Sequence, residues 1–425
     1  MLLGLLLLLM FWLQALHVNL PENLDASIGI IFGFLLLAGF LLGEILARLS
    51  LPRITGYLFA GIFCGPHLLG FVDATVVEHL QLVDKLALVM IAFTAGGELK
   101  LANLKKRARG ILTIVLIQSV AVFVATAGVL VLCREWIHLF QGLSLGQISA
   151  LAAILALIAT ANSPSTTVAV IVETRARGPL TDTVLGATVI KDIVVLVCFS
   201  LLMVVAIPQF AHEESLVEVA SVWQNISEVG LSLLCGAAFG GLMILYLRFV
   251  GKQTVLFVVG SAFLLMSLAD TFHLDALLVA VMAGFVVSNF SRQGKSFLFG
   301  LERASGPVFI IFFCLAGASL DLSVLTLHWQ TILLYIVLRT LFTWLGTGFG
   351  AFLAHEPTPV RRHAWTGFIG QAGISLGLAV LVRVNFPGPG AEVANLVVGA
   401  IVINQIIGPI AFRWALIRTG EGIKV

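Results

Sequence analysis

The sequence predicts an all-α polytopic membrane protein, and three observations carry that reading. Of its 425 residues, 60% are hydrophobic and 11% charged, with a mean hydropathy of +1.09; a water-soluble globule carries about a quarter charged residues. Apolar runs of about twenty residues recur along the whole length, each long enough to cross a hydrocarbon core of about 30 Å as a helix that bonds its own backbone. Basic residues crowd into alternate loops, which orients such helices. Beside that placement the net charge of +2 says little.

The first run, Leu2–Leu16, lacks the Lys or Arg that precedes the apolar core of a signal peptide. Residues 1–25 therefore read as an extra transmembrane helix with a linker holding Glu22 and Asp25. Further runs follow at Ile28–Leu49, Thr55–Phe71, Leu80–Glu98, Gly110–Cys133, Leu145–Val172, Leu180–Ile207, Ile226–Phe249, Thr254–Phe272, Asp275–Val287, Phe297–Leu320, Trp329–Leu353, Ala364–Val384 and Ala391–Ile417, for 13–14 transmembrane helices in all. One set of loops holds Arg48 and Arg53; Lys100 to Arg109; Arg175 and Arg177; Arg248 and Lys252; Arg292, Lys295 and Arg303; Arg361 and Arg362; and Arg418 with Lys424. The other set is acidic, with Asp73, Glu78, Glu213, Glu214, Glu218 and Asp321. The basic side is the cytoplasmic one by this rule, so both termini are expected in the cytoplasm, in a multi-pass protein of the cell (inner) membrane. The five cysteines show no CxxC spacing and read as packing residues.

An internal repeat organises the helices. Ala92-Phe-Thr-Ala-Gly-Gly-Glu-Leu-Lys-Leu101 resembles Phe313-Cys-Leu-Ala-Gly-Ala-Ser-Leu-Asp-Leu322. Each copy ends a helix that precedes another crossing and then one interrupted by Gly, Ser or Pro; the copies end on opposite sides. Small residues recur in helical membrane proteins simply because they allow close packing, but matched order, position and inverted sidedness favour a duplication. The expected division is 26–207 and 253–418 as six-helix inverted repeats, 208–252 as a linker helix and 419–425 as a short tail. Inverted repeats are the mark of a secondary transporter.

In such folds the binding site forms where helices break at the bilayer midplane. In the first repeat Pro164 removes a backbone donor, and Thr160, Asn162, Ser163, Ser165 and Thr166 are too polar for a lipid-facing surface. The second repeat has its equivalent in Gly367–Gly377, with Gln371, Gly373 and Ser375. Between the two lies the apolar segment Gly186–Cys198, which carries Lys191 and Asp192 side by side. Charges at that depth cost roughly 2.5–3.5 kcal/mol each on insertion scales, so they mark function. Thr188, one turn before Asp192, either faces the same cavity or bonds its own helix. Glu44 near Arg48, and Asp270 with His273, lie at membrane boundaries, where local pairing accounts for them. The sequence holds no phosphate loop, metal-ligand spacing or nucleophile with a base. No enzyme activity, cofactor, metal or nucleic-acid partner is expected.

The run Pro52-Arg-Ile-Thr-Gly-Tyr-Leu-Phe-Ala-Gly-Ile-Phe-Cys-Gly-Pro66, together with Phe93–Leu101, Ala159–Val168, Gly178–Asp192, Pro307–Gly317 and Gln371–Gly377, resembles the monovalent cation:proton antiporters. The nearest branch holds the bacterial sodium/proton antiporters and the Kef-type potassium efflux transporters. The resemblance runs from Ile28 to Ile417. It implies a sodium/proton antiporter fold with crossed broken helices, an elevator-like core moving against a dimerisation domain, and a homodimer. It also implies that Asp192 binds a monovalent cation (sodium or potassium) and a proton in competition, with Asn162, Ser163 and Thr188 as polar ligands. Arg339 matches a basic residue of the family that pairs with a carboxylate or with half-helix carbonyls. One position departs from the pattern. The residue before the key Asp is commonly Asp, Asn or Gln, and here it is Lys191. Three readings follow: an ion-pair partner of Asp192, a titrating proton carrier, or a member of altered substrate. A channel-like or regulatory membrane subunit is the competing class. Kef-type proteins append a nucleotide-binding domain, and this sequence stops at Val425, so any such gate is expected either in a separate regulatory subunit or in a part of the protein outside this sequence.

Overall fold

The structure, a computed structural model, describes residues 24–49, 51–66, 68–72, 80–210, 220–272, 274–318, 329–371, 374–386 and 388–423. Among these the regular elements are all helices. The first half comprises α1 (Leu24–Arg48), α2 (Arg53–Cys64), α3 (Gln81–Glu98), α4 (Leu101–Leu132), α5 (Leu145–Thr160), α6 (Pro164–Thr174) and α7 (Pro179–Ala206). Helix α8 (Ala220–Phe249) follows. The second half comprises α9 (Thr254–Phe272), α10 (Ala276–Phe290), α11 (Gly294–Ala318), α12 (Trp329–Leu353), α13 (Thr358–His363) with a 3-10 turn at Ala364–Phe368, α14 (Ile374–Asn385) and α15 (Pro389–Arg418). Among the described residues nine helical spans, counting α5 and α6 as one, are long and apolar enough to cross a bilayer, and α2 and α10 are shorter apolar helices. Each half thus runs long, short, long, long, broken, long.

The duplication reaches down to backbone contacts. A Cβ added at Gly96 of α3 would strike the Val281 carbonyl oxygen of α10, and one at Gly284 of α10 would strike the Phe93 carbonyl oxygen of α3. In the other half a Cβ at Gly317 of α11 would strike the Leu58 carbonyl oxygen of α2, and one at Gly61 of α2 the Cys314 carbonyl oxygen of α11. Gly96 and Gly317 hold equivalent places in the sequence repeat, as do Phe93 and Cys314. Each half therefore sends its third helix across the second helix of the other half, backbone against backbone, as small residues in membrane helices permit.

Several expected boundaries move. Helix α4 starts at Leu101, so Lys105, Lys106, Arg107 and Arg109 lie on its first turns instead of in a loop; Lys and Arg are good helix formers and extend it into the polar region. The run Ala364–Val384 is divided into the 3-10 turn and α14. Glu44 pairs with Arg53 at 2.8 Å, and Asp270 with Lys85 at 2.9 Å, both across helices. The run Leu2–Leu16, Gly373 and His273 lie outside the described residues.

Candidate functional site

The two broken helices cross at their breaks. Pro164 does not kink a continuous helix; it is the first residue of α6, where its missing N–H costs nothing. Ser163 caps α6 by accepting from the Thr166 amide at 3.2 Å, and its own amide donates to the Gly370 carbonyl of the other break at 2.8 Å. Gln371 Nε2 donates to Ile158 O at 3.1 Å, and Thr167 Oγ1 to Gly367 O at 3.1 Å. Helix α15 closes the junction: Asn404 Nδ2 donates to Gln371 Oε1 at 2.9 Å, and Gln405 Oε1 accepts from Thr166 Oγ1 at 2.7 Å.

Arg339, 1% exposed, enters this crossing from α12. Its Nε donates to Ala159 O at 2.9 Å and its Nη2 to Ala161 O at 2.9 Å, at the end of α5. The same guanidinium reaches Ile369 O at 2.7 Å and Phe368 O at 2.8 Å, at the end of the other half-helix. Carbonyls at helix C-termini carry partial negative charge, and a planar fork of five donors matches two such ends at once. Of the two partners open to it in the sequence, Arg339 takes the half-helix carbonyls. Tyr335, one turn earlier, donates its hydroxyl to Leu155 O at 2.9 Å.

Lys191 and Asp192 are 1% and 7% exposed. Neighbours on a helix point about 100° apart, and the two side chains diverge accordingly. Lys191 Nζ lies 4.8 Å from the centroid of the Phe368 ring and has no protein hydrogen-bond partner. Asp192 faces a cavity shared with Ser163 and Ser165 on one wall and with α3 and α10 on the other, through Ile91, Val281 and Asp275. Its Oδ1 also has no protein partner. Both amide atoms of Asn162 and the Ser375 hydroxyl are in the same condition. Buried polar atoms normally find partners, so the open Asp192 oxygen on this cavity marks where a bound species would be ligated.

Of the remaining residues singled out in the sequence, Thr188 donates to Val184 O at 2.7 Å and Thr160 to Leu157 O at 2.7 Å, each within its own helix. The Thr188 hydroxyl thus takes the local one of its two options. Sequence reasoning passed over Asp275, Asn404 and Gln405. Two adjacent amides in the apolar α15 were a readable signal; Asp275 stands at the start of the run Asp275–Val287, where an acid is ordinary.

On the side of the basic loops the two walls are joined. The Glu173 carboxylate at the end of α6 accepts from the Arg53 amide at the start of α2 at 2.8 Å, and Arg413 of α15 donates to Leu51 O.

A family model described as the transmembrane sodium/hydrogen exchanger matches residues 5–418. Among solved structures, the chain is similar to the sodium proton antiporter MjNhaP1 from Methanocaldococcus jannaschii at pH 8, with a TM-score of 0.69, 15% identity and coverage of 93% of this chain and 99% of that one. An electron-microscopy structure of the same antiporter gives 0.72, 16% identity and coverage of 95% and 100%. At these identities the structural likeness establishes the fold.

Proposed function

This chain belongs to the sodium/hydrogen exchanger family, transporters and not enzymes, and from that premise we propose that it exchanges sodium or potassium for protons through Asp192. The observation that carries the reading is the Asp192 carboxylate, nearly buried, turned into a cavity, with an oxygen that no protein donor occupies. A cation that sheds water there gains the carboxylate and the Ser163 hydroxyl, with Asn162 beside the break as a further oxygen donor. A proton takes the same carboxylate oxygen. One group that holds either species, never both, couples their movements.

The elevator step in this reading moves α4–α7 with α12–α15 against α1–α3 with α9–α11. The bonds from Glu173 to Arg53 and from Arg413 to Leu51 join these sets on the basic side, so the opposite opening requires their release. Arg339 holds the two half-helix ends through the cycle. Lys191 makes no bond to Asp192 and rests against the Phe368 ring. The basic side is the cytoplasmic one, with both termini there, in a homodimer of the cell membrane. A buried ammonium one residue from the site also favours a second reading, a transporter of altered substrate, because it disfavours a second positive charge nearby.

Proton flux in proteoliposomes separates the two. Addition of sodium or potassium should move protons in the wild type and not in Asp192→Asn. A folded wild type that moves protons with neither cation sinks the exchange reading and favours the altered substrate.

A further inference from the structure

Asp275 is the second acid on the cavity that holds Asp192, and the exchange mechanism above leaves it without a role. It stands at the N-cap of α10, on the wall opposite α6 and α7. Its Oδ1 accepts from the amides of Leu277 at 2.8 Å and Leu278 at 3.0 Å, and its own amide donates to Ser232 Oγ of α8 at 3.0 Å. The carboxylate is therefore fixed in place by backbone groups. Among the described residues that line the cavity none is basic, so the two acids face each other across mostly apolar walls.

Capping and the helix dipole account for an acid at the start of α10, but its place on the cavity gives the charge a second use. The charge matters through its position. Helix α10 ends at Phe290, next to Arg292 and Lys295, so Asp275 lies at the end away from the basic loops. Asp275 is half-buried and Asp192 buried, and both line the one cavity, where an Asp192 oxygen has no protein partner. A fixed anion on low-dielectric walls concentrates cations at the mouth it guards.

We propose that Asp275 is a cation-recruiting residue at the non-cytoplasmic mouth, which holds a partly hydrated monovalent cation before Asp192 receives it. The inference rests on the exchange reading and its sidedness. It makes the two faces of the transporter unequal: one has a recruiting carboxylate on the stationary wall and the other does not use it.

The test uses orientation-selected proteoliposomes of the full chain, with the half-saturating sodium or potassium concentration measured separately at each face. Asp275→Asn keeps the cap and removes the charge; Asp275→Ser does the same with a shorter side chain. Both variants should raise half-saturation about three- to tenfold at the face opposite the basic loops, with the maximal rate and the other face unchanged. Unchanged half-saturation in exchanging variants, or loss of folded protein in both, would reduce Asp275 to a helix cap. An equal rise at both faces would place it in the central site and overturn recruitment. A wild type without cation-driven proton flux fails at the earlier step and overturns the exchange reading, and recruitment with it.

Discussion

Helix α7 carries Lys191 and Asp192 at its middle, where its counterpart α15 carries Asn404 and Gln405. Both pairs lie against the same crossing of broken helices. Each amide of α15 makes one hydrogen bond inside it, on Gln371 and on Thr166, although Asn404 Oδ1 has no protein partner. The charged pair of α7 does not: Lys191 Nζ and Asp192 Oδ1 have no protein partner. The two halves thus share a backbone plan, down to the reciprocal glycine crossings, and differ in how they use polar groups. A buried polar group that is satisfied stabilises modestly, and one that is not costs more than it returns. The α15 pair helps close the frame, and the α7 pair keeps binding capacity at the expense of stability.

The largest effect is expected at Arg339, which ties the halves together. Arg339→Leu strands four carbonyls and should cost on the order of 3–5 kcal/mol, seen as a steep loss of thermal stability of the purified protein. Arg339→Lys should recover only part of it, because one ammonium cannot span both helix ends. Full recovery by Lys would mean that charge alone, and not the fork, joins the halves.

The glycine crossings come next. Gly96→Val and Gly317→Val occupy equivalent positions and should each destabilise by at least about 1–3 kcal/mol through forced separation of the backbones. Similar drops in melting temperature are expected; tolerance of one and not the other would break the structural equivalence.

The comparison is sharpest where the two pairs should respond with opposite signs. Asn404→Leu and Gln405→Leu should lower stability by about 1–3 kcal/mol each, since each removes one bond across the junction, from Asn404 to Gln371 or from Thr166 to Gln405. Lys191→Met should raise the melting temperature by a smaller amount, because it removes a buried charge that no bond compensates. A fall in all three would show that Lys191 contributes to the frame as the amides do.

Much of this was legible in the sequence, for a physical reason. A helix in lipid bonds its own backbone, so hydropathy and loop charge suffice to read it. Pro164 and the hydroxyl-rich stretch around Ser163 announced the first break, and Lys191 with Asp192 marked the candidate site, since neither is cheap in an apolar run. What escaped depended on partners that have no side-chain signature. Half-helix carbonyls were one of two partners read for Arg339, and which carbonyls it takes has no signature, since every residue has one. Gly61 and Gly317 are ordinary glycines until the fold brings them together. Thr188 had two acceptable fates, and its own helix was the nearer. Asp275 could be read locally as a cap, and only the cavity shows that its charge faces Asp192.

The most direct measurement is proton release on cation binding by purified protein, followed with a pH dye in weak buffer at several pH values. If one carboxylate serves both species, sodium or potassium binding should release about one proton per cation, and apparent affinity should weaken about tenfold per pH unit on the acid side. Asp192→Asn should show neither effect. Cation binding without proton release, or proton release that persists in Asp192→Asn, would contradict the assignment of both substrates to this residue.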